Sequence, residues 1–199
     1  MRCRRLIRLV TSAAFPMGVL AVLLLLTSSC GGGGGGGGPA IECASSSAGL
    51  NQVVMSCGGQ SNSTTEVVKV VLGGGATAAS DVQGFHFDVV YDPAKIAFVT
   101  GSAAEGTFLN KDGDDPLLAV QLANGVQGRV IVGFDRTNQP AGVQGTDVAN
   151  DVLRLSFTVL GSASVAPVPL TFENAEAVDH TGAGIAAITF HDGLSLSRR

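Results

Sequence analysis

The 199-residue chain predicts an all-β protein, an antiparallel two-sheet β-sandwich of jelly-roll topology over residues 41–199. Three observations carry that reading. From residue 41 onward the apolar residues recur with a period of two. Clusters of Gly, Asn, Asp and Pro separate the alternating segments, as turns between short strands require. No stretch beyond residue 40 keeps a helical period. Hydrophobic residues make up 45% of the chain, enough to build a core for one domain of this length.

Residues 1–29 read as an export signal. Arg2, Arg4, Arg5 and Arg8 form the positive start, residues 19–26 the apolar stretch, and Thr27, Ser28 and Ser29 the small residues that cleavage needs. Pro16 and Gly18 interrupt the apolar stretch, leaving it too short for a permanent span. Arg8 stands where a twin-arginine signal has an apolar residue. The segment LLLLTSSC resembles a bacterial lipobox, with Thr27 where that motif usually has Leu. The resemblance implies a lipidated Cys30 as the mature N-terminus; the alternative is ordinary cleavage with Cys30 free or disulfide-bonded. Eight consecutive glycines (31–38) and Pro39 follow. The glycine tract has no side chains to bury, so residues 30–40 read as a lipidated cysteine on a flexible tether. Gly31 after the cysteine points, by the same resemblance, to the outer membrane or cell surface. Cys3 leaves with the signal and Cys30 takes the lipid, so Cys43 and Cys57 remain as a disulfide pair in an oxidising compartment. A metal site at these cysteines would lack a CxxC spacing and a nearby His.

The strands follow in order. VQGFHFDVVY (82–91) puts Phe85, Phe87, Val89 and Tyr91 on one face and His86, Asp88 and Val90 on the other. GRVIVGFD (128–135) puts Val130, Val132 and Phe134 inward, with Arg129, Ile131, Gly133 and Asp135 opposite. VLRLSFTVL (152–160) puts Leu153, Leu155, Phe157 and Val159 inward and Arg154, Ser156 and Thr158 outward. Shorter strands are expected at 52–56, 66–72, 96–100, 117–122, 170–173, 185–190 and 194–197. Within YDPAKI, Tyr91 closes an inward row with its hydroxyl near the rim. Asp92 can accept backbone N–H bonds in the turn, and Pro93 ends the ladder. The Tyr91-Asp92-Pro93 turn is therefore expected to be structural.

Charge narrows the partners. Of 12 Lys and Arg against 16 Asp and Glu, four Arg lie in the first eight residues, leaving eight basic groups and a net −8 for the rest. No basic stripe remains to meet phosphates, which argues against nucleic acid. Asn110, Asp112 and Asp114 alternate like the start of an EF-hand loop, but Asp115 and Gln121 occupy the positions that need Gly and Glu. A looser calcium site there is the weak metal candidate; a solvated acidic turn is the plainer reading. His86, His180 and His191 come with no HExxH, GxSxG or Cys–His arrangement. Gly73-Gly74-Gly75 lacks the Lys-Ser/Thr and the helix of a phosphate loop. No enzyme motif and no cofactor motif is present.

GFHFDVVYDPAKIAFV (84–99) resembles the most recognisable part of the cohesin domain. The likeness continues in order through GSAAEGTFL (101–109), GRVIVGFD (128–135), DVLRLSFTVLG (151–161) and DGLSL (192–196). It covers about residues 45–197. It implies a non-catalytic docking module whose partner is a dockerin, a small calcium-loop domain usually attached to a polysaccharide-degrading enzyme. In that family one sheet face carries the contact, including outward residues on the strand before Tyr-Asp-Pro. The family's receptors favour Asn and Asp at the positions held here by Gly84 and His86. The outward residues His86, Asp88, Arg129 and Arg154 are accordingly the candidate binding surface. The same architecture occurs in carbohydrate-binding modules, so direct glycan binding is the alternative. With no Trp and one Tyr, a flat polysaccharide strip would have to use Phe108, Phe172 and Phe190. Membrane contact is expected through the lipid anchor alone.

Overall fold

The computed structural model describes residues 41–74, 81–137, 139–146, 148–161 and 166–198. The export signal, Cys30 and the glycine tether lie outside the described residues, as does Gly75. The strands are β1 (Ile41–Ala44), β2 (Gln52–Asn62), β3 (Thr65–Leu72), β4 (Val82–Val90), β5 (Ile96–Phe98) and β6 (Ala104–Glu105). They continue with β7 (Leu117–Leu122), β8 (Arg129–Asp135), β9 (Asn150–Val159), β10 (Val168–Asp179), β11 (Thr189–His191) and β12 (Leu194–Arg198). One sheet has the order β1-β12-β10-β4-β8-β7 and the other β11-β2-β3-β9-β5, with β6 also on β9.

The period-two pattern becomes a sandwich because each sheet turns its apolar rows to the other. Phe85, Phe87 and Val89 of β4 and Val130, Val132 and Phe134 of β8 face Val68, Val70 and Leu72 of β3 and Leu153, Leu155 and Phe157 of β9, all fully buried. Each contributes roughly 1.5–3 kcal/mol on burial. The pairing is antiparallel except that β11 runs parallel to β2. Two expectations change here. The strand expected over 185–190 begins only at Thr189, because Ile185 and Ile188 close a turn through Ile188 N–H to Ile185 O. Phe108, Phe172 and Phe190 are not surface rings. Phe108 packs on Phe85, while Phe172 and Phe190 pack on Phe87 and on each other.

Tyr91 stacks edge-on to Phe157 with 5.5 Å between centroids. Burial raises its pKa, and a hydrogen bond to the Phe98 backbone works against that rise. Asp92 Oδ1 accepts the Ala94 N–H at 3.0 Å, and its backbone carbonyl accepts from Lys95 and Ile96. Gly128, at φ +76°, lies against this turn. A side chain there would put its Cβ 2.3 Å from the Tyr91 carbonyl oxygen and 2.8 Å from Pro93 Cδ, so only glycine fits. Cys43 on β1 and Cys57 on β2 form a disulfide, stapling the edge of one sheet to the other. Closing this short loop contributes about 3 kcal/mol in the chain-entropy model.

Glu66 ends an inward row of β3, 2% exposed, where it accepts the Gly59 N–H at 3.0 Å. Burial raises its pKa above the ordinary 4.5, and the Gly59 bond only partly offsets this. The unfolded chain therefore ionises first as pH rises, and the cost of the buried charge is complete above the folded-state pKa. Glu66→Gln keeps the acceptor without the charge. It is expected to gain stability over wild type at pH 7, with the gain vanishing at pH 4. Urea denaturation at both pH values checks this; a gain equal at the two would refute it.

Candidate docking surface

The outer face of β10-β4-β8-β7 carries the candidate site. Alternation turns His86 and Asp88 of β4 outward, and the register sets Asp88 beside Ile131 of β8 and Glu173 of β10. Arg129, at the start of β8, bridges two strands: its guanidinium donates to Asp88 and to Glu173. These bonds, Asp88 first, raise the Arg129 pKa further. Asp88 Oδ2 also accepts from Asn174 Nδ2 at 2.8 Å. Asn174 reaches it because β10 bulges between Glu173 and Glu176, with Asn174 at φ +49°. Such a bulge re-aims a side chain that a regular strand would point elsewhere.

His86 stands between two carboxylates. Nε2 lies 2.8 and 3.0 Å from the Asp135 oxygens, and Nδ1 lies 3.5 Å from Glu176 Oε1. Gly84 makes room for this. A Cβ there would fall 1.9 Å from Asp135 Oδ1. The glycine lets β8 supply a carboxylate over a β4 position that has no side chain of its own. Beyond His86 the face opens into a trough floored by Gly133 and Ala119 and rimmed by Ile131 and Gln121. Asp88 itself is only 7% exposed, covered by Arg129 and Asn174, while the exposed carboxylates Asp135, Glu173 and Glu176 outnumber Arg129 and His86 across the face. The surface is thus prepositioned, acid-rich at its rim and apolar at its low point. A second concavity, under the Tyr91-Asp92-Pro93 turn, is apolar and lined by Tyr91, Pro93, Phe98, Leu122 and Val126.

Three of the four expected surface residues, His86, Asp88 and Arg129, come together here. Arg154 does not. It lies on β9 of the other sheet, paired with Asp151 at 2.8 Å in a cluster that includes Lys69. The alternation shows that a residue points outward but not from which sheet. Asn174, Glu173, Glu176 and Asp135 were missed as site residues. Asp135 was legible as outward, whereas the bulge that brings in Asn174 has no signal beyond an Asn inside a strand.

The weak calcium candidate resolves differently. Asp112 accepts from Arg136 Nη2 at 2.8 Å, and Arg136 Nε lies 3.6 Å from Asp114. Asp114 Oδ1 also accepts from Gln139 at 2.8 Å. A buried guanidinium takes the place that a cation would have, and the Arg136 bond holds the Asp112 carboxyl below the ordinary carboxylate range. Asn110 contributes its carbonyl to a turn, accepting the Gly113 N–H. Among the described residues no group of three or more His, Cys, Asp or Glu side chains could hold a metal ion.

No protein-family model matches the chain, and no curated protein matches its sequence. Solved structures do match in fold. The third cohesin ScaC of Acetivibrio cellulolyticus, in complex with the ScaB dockerin, is 16% identical with a TM-score of 0.55, over 72% of this chain and 95% of that one. The sixth cohesin of the same organism's scaffoldin B, in complex with a mutant Cel5 dockerin, is 17% identical with a TM-score of 0.53, over 72% and 95%. A non-cellulosomal cohesin from the archaeon Archaeoglobus fulgidus is 15% identical with a TM-score of 0.51, over 72% and 87%. At these identities the likeness establishes the fold.

Proposed function

We propose that this cohesin-fold domain is a non-catalytic docking module that receives a protein partner on the outer face of β10-β4-β8-β7, with a dockerin-bearing protein as the first candidate. The observation that carries the reading is the prebuilt polar network, Glu173–Arg129–Asp88–Asn174 beside Asp135–His86–Glu176, next to the open trough at Gly133. Side chains already locked by neighbours lose little entropy on binding. An acid-rich rim selects a partner with basic residues and speeds their encounter, and a low apolar spot accepts one buried anchor. The solved cohesins in complex with dockerins support the choice of partner class. The lipobox-like segment LLLLTSSC and the glycine tract after it are what support the further proposal that the module is exported and lipid-anchored at Cys30 in the cell envelope.

The test immobilises the protein through its N-terminus. It is exposed to calcium-loaded dockerins and to envelope extract of the producing cell, with calcium or with chelator. Calcium-dependent retention of a dockerin-bearing protein is expected, because the dockerin fold needs its metal. Retention of polysaccharide with no protein prey would overturn docking in favour of glycan binding. A protein retained equally in chelator would exclude a dockerin.

A further inference from the structure

We propose that β7 is a self-complementary dimer edge, through which two copies of this chain pair antiparallel about a two-fold axis at Val120. Among the described residues β7 ends its sheet and pairs with β8 alone. The phase of that ladder can be read off. Ala123 N–H donates to Arg129 O, so residues 123 and 129 form a hydrogen-bonded pair. Antiparallel ladders alternate bonded and non-bonded pairs. Leu117, Ala119 and Gln121 therefore exchange bonds with β8, while Leu118, Val120 and Leu122 turn their N–H and C=O groups to the open edge. The opposite side of β8 agrees. Tyr91 N–H to Gly128 O assigns Val130, Val132 and Phe134 to β4, leaving Arg129, Ile131, Gly133 and Asp135 for β7. Among the described residues no backbone or side-chain group bonds to the edge groups of Leu118, Val120 and Leu122.

Sheet edges are ordinarily blunted by charge, proline, bulges or brevity. The other sheet ends here are: β5 and β11 have three residues each, and β1 has four, one of them Glu42. β7 has six, LLAVQL, with no charge, no internal proline and no register break against β8. Its Leu117 and Leu122 are 62% and 49% exposed. The occupant that fits is the same strand from a second copy. With the axis at Val120, Leu118 lies opposite Leu122 of the second copy and Val120 opposite its own equivalent. Every free N–H then meets a free C=O. Ala119 faces Gln121 of the second copy, and Asp115 faces Gly125, so no like charges meet. Two six-stranded sheets continue into one, a closed isologous contact. The inference is independent of the docking reading.

Full-length protein in mild detergent is expected to show a concentration-dependent dimer by sedimentation velocity. Val120→Pro removes an N–H that its own sheet does not use, which an edge strand tolerates. It should raise the dimer dissociation constant by about tenfold or more. Leu122→Lys, at an exposed position, should do the same and covers the case in which the proline disturbs folding. A monomer at all concentrations, or a dimer indifferent to both changes, would overturn the proposal. The register has its own readout. Ala119→Cys mixed with Gln121→Cys should give, on oxidation, a 119–121 linkage between copies by peptide mass spectrometry. Cross-linking at these positions as strong in either variant alone would refute the axis at Val120.

Discussion

Gly133→Gln is expected to weaken binding of the proposed partner by roughly 30- to 1000-fold while leaving the domain folded. A Cβ at Gly133 would sit 3.9 Å from Asp135 Oδ2 and 4.0 Å from His86 Cδ2, ordinary contact distances, and the backbone there needs no positive φ. The added side chain has one direction to go, out of the strand and into the trough. Glycine is also a poor strand residue, so the change costs the fold nothing and removes a weak point. A partner that seats an apolar anchor in the trough loses that pocket. Loss of a central anchor of this kind is worth about 2–4 kcal/mol, roughly 30- to 1000-fold in affinity. Calorimetric titration against the captured partner reads the loss, and thermal unfolding reads the fold. Unchanged affinity at unchanged stability would remove this face from the docking reading. Gly84→Ala makes the contrast, because its Cβ collides with Asp135 and must displace the His86 network as well.

Arg136→Ala is expected to cost about 3–5 kcal/mol of stability, the penalty for leaving a buried charge without its partner. The Arg136 side chain is 2% exposed and Asp114 9%. The guanidinium also donates to the Leu109 carbonyl at 3.4 Å, tying the segment between β6 and β7 to the end of β8. Without it, Asp114 remains under cover with Gln139 as its hydrogen-bonding side chain. A domain of this size should lose roughly 10 °C in Tm. Arg136→Met with Asp114→Asn removes both charges and keeps the volume. It should recover most of the loss, since a buried ion pair replaced as a unit is often neutral. Equal losses in the single and double variants would show that packing, and not charge compensation, holds this segment.

Much of the molecule is legible in the chain itself. The alternation in VQGFHFDVVY assigns Phe85, Phe87 and Val89 to the core and His86 and Asp88 to the outer face, because a strand has only two faces; that Asp88 is then covered by Arg129 and Asn174 is not in the alternation. Tyr-Asp-Pro announces a turn because Asp92 can cap it and Pro93 cannot continue the ladder. Phe172 and Phe190 were less legible. Phe172 lies inside β10 just before its bulge and Phe190 in the three-residue β11, so neither has a long regular alternation around it, and only their packing on Phe87 shows which side they take.

Which residues alternate, where the turns fall, and that the result is an all-β sandwich follow from the chain's period and local backbone chemistry. Which outward residues share a face was decided by the tertiary structure alone. Asp88 meets Arg129 across 41 positions and Asn174 across 86, contacts set by strand order and by a bulge. Arg154, equally outward by its own strand, ends on the opposite sheet. The acidic run at residues 110–115 reads locally as a cation loop, and it is Arg136, more than twenty positions away, that supplies the positive charge. Alternation is a property of one strand, whereas a site is a property of neighbouring strands, and long-range pairing is what a local pattern does not encode.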